Sequence, residues 1–174
     1  FAGWEWNGES FGKDVYDIYG DIWVYARWTA NTYNVNYYDG EELIKSEEAI
    51  YDSSYTFMSS YMKDELTLVK LVIDGREYNP ATELSNFNYA KDINVYLKFY
   101  KLNNDYTYDG SIISGYNGTD TELVIPEYVG SGNTYYKVNR IGYQAFYENY
   151  DITSITLLNN IEYIDGCAFE KCIS

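Results

Sequence analysis

"IGYQAF", residues Ile141–Phe146, is answered further along by "IDGCAF", residues Ile164–Phe169. The two phrases stand 23 positions apart, a step kept by Ile141 and Ile164, by Ala145 and Ala168, and by Phe146 and Phe169. Val138 and Ile161 hold the same step, and Asn149 lines up with Cys172. A fixed interval of this kind arises when each coil of a stack fills the same slot of a shared core, and 23 lies within the leucine-rich-repeat range of roughly 20–29 residues.

Each coil needs a strand. "LVIP" (Leu123–Pro126) and "ITLL" (Ile155–Leu158) supply the candidates, with alternate apolar residues pointing inward. These strands start 32 positions apart, nine more than the step. The surplus falls in "YVGSGNTYYKV" (Tyr128–Val138), whose Gly-Ser-Gly-Asn centre predicts the tip of an inserted hairpin.

The first hundred residues carry a weaker self-similarity. "DIWVYARW" (Asp21–Trp28) matches "DINVYLKF" (Asp92–Phe99) at an offset of 71. Both predict strands, in which Ile22, Val24, Ala26 and Trp28 share one face, as do Ile93, Val95, Leu97 and Phe99. "NGESF" (Asn7–Phe11) pairs with "DGREY" (Asp74–Tyr78) at an offset of 67, so four residues were gained between the landmarks. The expected boundaries are therefore a part-module over 1–30, a complete one over 31–101 and the coiled segment over 102–174.

Within the complete module, "YNVNYYDGEELIK" (Tyr33–Lys45) predicts strand, Asp-Gly turn, strand. "TLVKLVIDGREY" (Thr67–Tyr78) predicts a second pair about Asp74-Gly75. "SSYMKDE" (Ser59–Glu65) predicts one or two helical turns, with Ser59 or Ser60 as the cap. "KLNNDYTYDG" (Lys101–Gly110) is polar and turn-rich, a linker running into the next module.

Composition narrows the function classes. The 174 residues are 46% apolar, enough for a packed core. Twelve basic against 27 acidic residues give a net charge of −15, which repels phosphate backbones and anionic lipid, so no nucleic acid partner is expected. Histidine is absent, removing the commonest general base and every Ser–His or Cys–His pair. Twenty-three tyrosines and two prolines suit pleated strands. Two cysteines, Cys167 and Cys172, are too few for a disulfide framework, and a bridge between them is not favoured. No run reaches the ~18 apolar residues of a membrane span, so no membrane insertion is expected of this segment. The chain opens on Phe1, inside a motif, and is expected to be a piece of something longer.

Two families are resembled. "FAGWEW" with "GDIWVYARWT" resembles the C-terminal half of the internalin-type B repeat, the Listeria–Bacteroides repeat, through Phe1-x-Gly3-Trp4, Gly20-Asp21 and Val24-Tyr25-Ala26-x-Trp28-Thr29. Residues 31–101 resemble a second, degenerate copy. There Leu68-x-Lys70-Leu71 replaces the Phe-x-Gly-Trp phrase and Phe99 the final Trp. Residues from about 106 to 174 resemble the BspA-like leucine-rich repeat, through "GYNGTDTELVIPEYV", "VNRIGYQAF", "ITSITLLNNIEYIDGCAF" and the Cys172 position. The resemblances imply a mainly β (α+β) fold, with small β-grasp-like repeat modules followed by a short leucine-rich-repeat β-solenoid. They also imply a bacterial cell-surface or secreted protein engaged in adhesion.

Few residues of the sequence stand in patterns that carry chemistry. Asp105-x-Thr107-x-Asp109-Gly110 imitates the opening of a calcium loop, but Tyr116 stands where a bidentate Glu is required, and a hairpin is the better reading. Glu41-Glu42 and Glu47-Glu48 are adjacent along strands and so point to opposite faces, which fits a solvated edge. The sequon Asn117-Gly118-Thr119 sits in a family phrase and carries no weight. Tyr135, Tyr136, Tyr143, Tyr147 and Tyr150 are the candidate ligand contacts, since aromatic faces bind sugars and proteins well. The competing reading is tyrosine rings capping a core with their hydroxyls wet. The expectation is thus a non-enzymatic binding segment with no catalytic residue, metal or cofactor, facing a protein or glycan partner outside the cell. Two alternatives stand beside it: a carbohydrate-binding accessory module of an extracellular enzyme, and a structural spacer.

Overall fold

The computed structural model describes residues 2–12 and 20–172. Phe1 of the Phe-x-Gly-Trp phrase lies outside them. Eighteen strands make up the described residues, with no helix among them. The fold is therefore mainly β, and the expected α component is corrected.

The first sheet joins β1 (Gly3–Trp6), β2 (Glu9–Phe11) and β3 (Tyr25–Arg27) in the order β2-β1-β3, all antiparallel. Only Tyr25–Arg27 of the predicted strand Asp21–Trp28 pairs; Ile22 is half-buried, and Val24 and Trp28 are exposed. The expected strand is thus shorter than the eight residues of the phrase.

The second sheet is built from β4 (Thr32–Asp39), β5 (Glu42–Ile50), β7 (Thr67–Ile73), β8 (Arg76–Tyr78) and β10 (Ile93–Tyr100). A two-stranded pair, β6 (Tyr55–Thr56) with β9 (Glu83–Leu84), lies beside it in sequence. The order is β5-β4-β10-β7-β8. The first and last strands of this stretch, β4 and β10, pair in parallel at the centre, and the two predicted hairpins flank them. Asp74 and Gly75 both take positive φ, 48° and 77°, the geometry that matches the twist of a two-residue hairpin. Alternate residues enter the core: Val35 and Tyr37 from β4, Leu71 and Ile73 from β7, Ile93, Val95 and Leu97 from β10, sealed by Phe57 and Phe87.

Ser59–Glu65 forms no helical turn. Lys63 makes an isolated bridge to Leu66, and Asp64 takes φ 51°. Contacts from far along the chain hold the segment: Tyr61 packs on Phe99, and the Lys63 ammonium binds Asp39 at 2.5 Å. Tertiary contact overrides the weak local preference.

The last third contains β11 (Tyr106–Asp109), β12 (Ile112–Tyr116), β13 (Glu122–Val124), β14 (Tyr128–Ser131), β15 (Thr134–Lys137), β16 (Arg140–Ile141), β17 (Ser154–Thr156) and β18 (Tyr163–Ile164). β12, β16 and β18 run parallel, so that Ile113, Ile141 and Ile164 succeed one another across the sheet. β13 and β17 pair in parallel, with Leu123 opposite Ile155. Phe146 and Phe169 stack with ring centroids 5.2 Å apart and planes 14° from parallel. The backbone repeats as well: Gln144 and Cys167 sit at φ 56° and 59°, Glu148 and Lys171 at φ 55° and 63°. Non-glycine residues rarely enter this region, so the same unusual turn recurs at the same 23-residue step. Between the two, the Phe146 N–H donates to the Ala168 carbonyl at 2.8 Å and the Asp165 N–H to the Ile141 carbonyl at 2.9 Å.

Candidate functional site

The five candidate tyrosines do not form one surface. β14 and β15 make the predicted hairpin, with Val129 opposite Tyr136 and Gly130 opposite Tyr135. Successive side chains on a strand point to opposite faces, and the structure shows which faces outward. Tyr136 is 41% exposed and Tyr135 only 5%. Tyr135 as a member of an exposed stacking face is therefore a correction: its ring packs with Val69 and Tyr128, and its hydroxyl donates to the Gly132 carbonyl at 2.5 Å. Tyr143 and Tyr150 stand well exposed on the coils. Tyr147 is half-buried beneath the Lys171 ammonium, which lies 4.8 Å from the ring centre. Tyr163, which the repeat analysis passed over, is exposed on β18 next to Arg140, whose guanidinium grips the Asp165 carboxylate on the neighbouring coil.

Tyr135 belongs instead to a joint between the second sheet and the coils. Lys70 of β7 donates to the Tyr135 carbonyl at 2.7 Å and to the Asn79 side chain at 2.6 Å. Lys98 of β10 donates to the Tyr128 hydroxyl at 2.7 Å, lies 4.9 Å above that ring and reaches Glu77 and Glu127 at 3.4 and 3.6 Å. The Tyr100 hydroxyl accepts from the Glu127 N–H, and its ring meets Tyr128 edge-on at 5.7 Å. Burial holds Lys70 below the usual lysine range. Burial alone would do the same to Lys98, but the Tyr128 hydroxyl, with Glu127 and Glu77 nearby, outweighs it and raises that ammonium. The joint's residues were not identified from sequence. The nine-residue surplus was the signal, since an insertion that keeps two buried tyrosines has a partner surface to meet.

The remaining polar groups are accounted for structurally. The Asp105–Asp109 phrase is the hairpin β11–β12, turning at Gly110 with φ 57°. β5 is an edge strand, and Glu48 on it is exposed. Glu47 is half-buried, where burial would raise its carboxyl; Lys45 and the Tyr55 hydroxyl, at 3.0 Å, more than reverse that. The Tyr55 hydroxyl meets Tyr37's at 2.9 Å, extending this chain of hydrogen bonds into the core. Both cysteines are free. A hydrogen bond with Glu170, together with desolvation, pushes the Cys167 thiol up, the reverse of an activated thiolate. Cys172 donates through sulfur to the Phe146 carbonyl, filling its place in the repeat.

No family model, no curated protein and no solved structure matches the chain.

Proposed function

We propose that this chain is a non-catalytic segment of a bacterial surface or secreted protein, in which rigid β modules present a binding face for adhesion or partner contact. In this reading residues 31–101 are a degenerate internalin-type B repeat with a β-grasp-like sheet. Residues 102–174 begin a BspA-like leucine-rich-repeat solenoid. The observation that carries it is the 23-residue recurrence of backbone and core together: Ile141 and Ile164 paired in parallel strands, the stacked Phe146 and Phe169, and the paired positive-φ turns, with Ile113 preceding Ile141 across the same sheet. Stacked coils expose a broad, stiff surface with no demand for chemistry, and Tyr143, Tyr150 and Tyr163 stand on this one. The central parallel pair of the second sheet supports the β-grasp-like reading of the preceding module.

The test is saturable binding of the 174-residue chain to immobilised mucin, fibronectin and collagen and to a glycan array. Binding to at least one, weakened by the double variant Tyr143→Ala/Tyr150→Ala, is the expected result. A chain that saturates none of them is a spacer, and the proposal fails.

A further inference from the structure

The outer face of the second sheet bears a patch of aromatic, aliphatic and amide side chains. Tyr38 on β4 and Tyr96 on β10 are paired in register, and their rings stack with centroids 5.6 Å apart. Leu43 lies opposite Tyr38 on one side and Val72 opposite Tyr96 on the other. Leu43 and Tyr96 are about half exposed. One pleat along the strands, a row of amides runs parallel to this aromatic row. The Ser46 hydroxyl donates to the Asn36 carbonyl oxygen at 2.8 Å, and the Asn36 amide donates to the Asn94 carbonyl oxygen at 3.4 Å. A third row follows, in which the Asn34 N–H and amide donate to the Asp92 carboxylate at 2.7 and 3.1 Å.

Charge makes the patch distinctive. In a chain with 22% charged residues and a net charge of −15, the seven side chains of the first two rows carry none. Charged side chains border these rows: Glu77 continues the first row past Val72, Lys98 and Lys70 pair in the next row towards the inserted hairpin, and Glu48 and Asp92 flank Asn34 in the third. That hairpin covers one end of the outer face, so the open part is a platform with a wall.

Uncharged polymers suit such a surface. Tyr rings and aliphatic side chains take the apolar faces of sugar rings, and amides and hydroxyls serve neighbouring sugar hydroxyls as donors and acceptors. Hydrogen bonds along the ladder already orient the Asn36 and Asn94 amides, so less side-chain freedom is lost on binding. Both amides keep donor capacity beyond the bonds they make. Four strands at about 4.8 Å spacing make the Leu43–Val72 row roughly 14 Å long, the length of a short run of sugar rings. An acidic polymer would meet repulsion from the whole molecule. A protein partner would more typically meet a larger apolar centre.

From this juxtaposition we infer that the outer face of the second sheet, centred on Tyr38, Tyr96, Asn36 and Asn94, is a binding platform for an uncharged polysaccharide. The inference rests on the display reading above and adds a ligand class and a second face to it.

Native-gel affinity electrophoresis of the full chain tests it, with hydroxyethyl cellulose, xyloglucan, galactomannan or mannan in the gel. At least one neutral polysaccharide should retard the chain. Tyr96→Ala and, separately, Asn94→Asp should weaken that retardation about tenfold or more, while Tyr143→Ala/Tyr150→Ala leaves it unchanged. Asn94→Asp keeps side-chain size and adds only a charge on an exposed site, so it decides the matter even if Tyr96→Ala fails to fold. Retardation by none of the four polysaccharides, or retardation indifferent to Asn94→Asp, overturns the inference. Retardation lost only with Tyr143→Ala/Tyr150→Ala overturns it too, moving the glycan site to the coils and leaving the display reading intact.

Discussion

Replacing Tyr135 with alanine separates a ligand contact from a structural joint. The ring is 5% exposed, set among Val69 and Tyr128, while the Tyr135 carbonyl receives Lys70 at 2.7 Å through main-chain atoms that alanine retains. Removing a buried aromatic costs ~3–5 kcal/mol, and the surviving main-chain bond places Tyr135→Ala near 3. For a cooperative unit of this size each kcal/mol moves Tm by ~2–4 °C, so a fall of about 6–12 °C is expected. Tyr135→Phe loses only the hydroxyl bond to Gly132 and should cost ~1 kcal/mol. Because the joint spans the second sheet and the coils, the loss should appear on both sides of it. Hydrogen exchange read by mass spectrometry is the assay: peptides from β7 and from β14–β15 should lose protection together in Tyr135→Ala. A variant that melts within ~1 °C of the parent, or one in which only the hairpin loses protection, refutes the coupling. The prediction also governs the ligand tests. A binding defect in a Tyr135/Tyr136→Ala double variant would report a broken joint, so Tyr136→Ala alone is the informative substitution on this hairpin.

Three further outcomes follow from the same geometry. Gly130 sits at φ 147°, and a Cβ there would lie 2.3 Å from the Thr134 carbonyl oxygen; Gly130→Ala should therefore disrupt the hairpin and lower Tm by at least as much as Tyr135→Ala, and an unchanged melt contradicts the geometry. Phe146 is buried on both faces of the stack whereas Phe169 is only partly covered, so Phe146→Ala should cost ~3–5 kcal/mol and Phe169→Ala clearly less, measured by urea midpoints; equal losses argue against the shared column. Burial, with Tyr116, Asp120 and Asp105 nearby, pushes Tyr106 up to about 12, and burial with the Tyr78 hydroxyl does the same for Tyr89. A group whose pKa is raised in the fold stabilises it fully below its ordinary value and loses that contribution as pH climbs to the raised one. Phenolate absorbance should thus continue to grow from pH 10 towards 12, and its last portion should coincide with loss of β-sheet circular dichroism. Complete ionisation with an intact β signal sinks this expectation.

Turns and periods were legible; partners across long separations were not. The hairpins at Gly40 and at Asp74-Gly75 follow from turn chemistry written in two adjacent residues. The coil step is equally local, since each slot must be refilled by the same residue type. Ser59–Glu65 misled because its conformation is dictated by Phe99 and Asp39, which a window of seven residues does not contain. The alternation of Tyr135 and Tyr136 says that one of them faces inward, but which one depends on Val69, in another sheet. The neutral platform was hidden for the same reason: Asn34, Asn36 and Tyr38 share a face by simple alternation, yet their partners Asp92, Asn94 and Tyr96 arrive 58 positions later through parallel pairing. Parallel register leaves no turn in the sequence to announce it.

The joint also gives the first of the stacked strands a neighbour on its N-terminal side. Stacked strands bury their apolar faces only against neighbours; the described residues show two parallel steps from β12 through β16 to β18. The inserted hairpin supplies a further neighbour of a different kind. It leaves the coil between Glu127 and Val138, where the Val138 N–H donates back to the Glu127 carbonyl at 2.9 Å, and it places Tyr128 and Tyr135 against the second sheet. Lys70 and Lys98 add hydrogen bonds and ion pairs to Tyr135, Tyr128, Glu77 and Glu127, but the Lys98 and Glu77 side chains stay 36% and 37% exposed, so the buried Tyr128 and Tyr135 rings contribute more to the joint than the charges do.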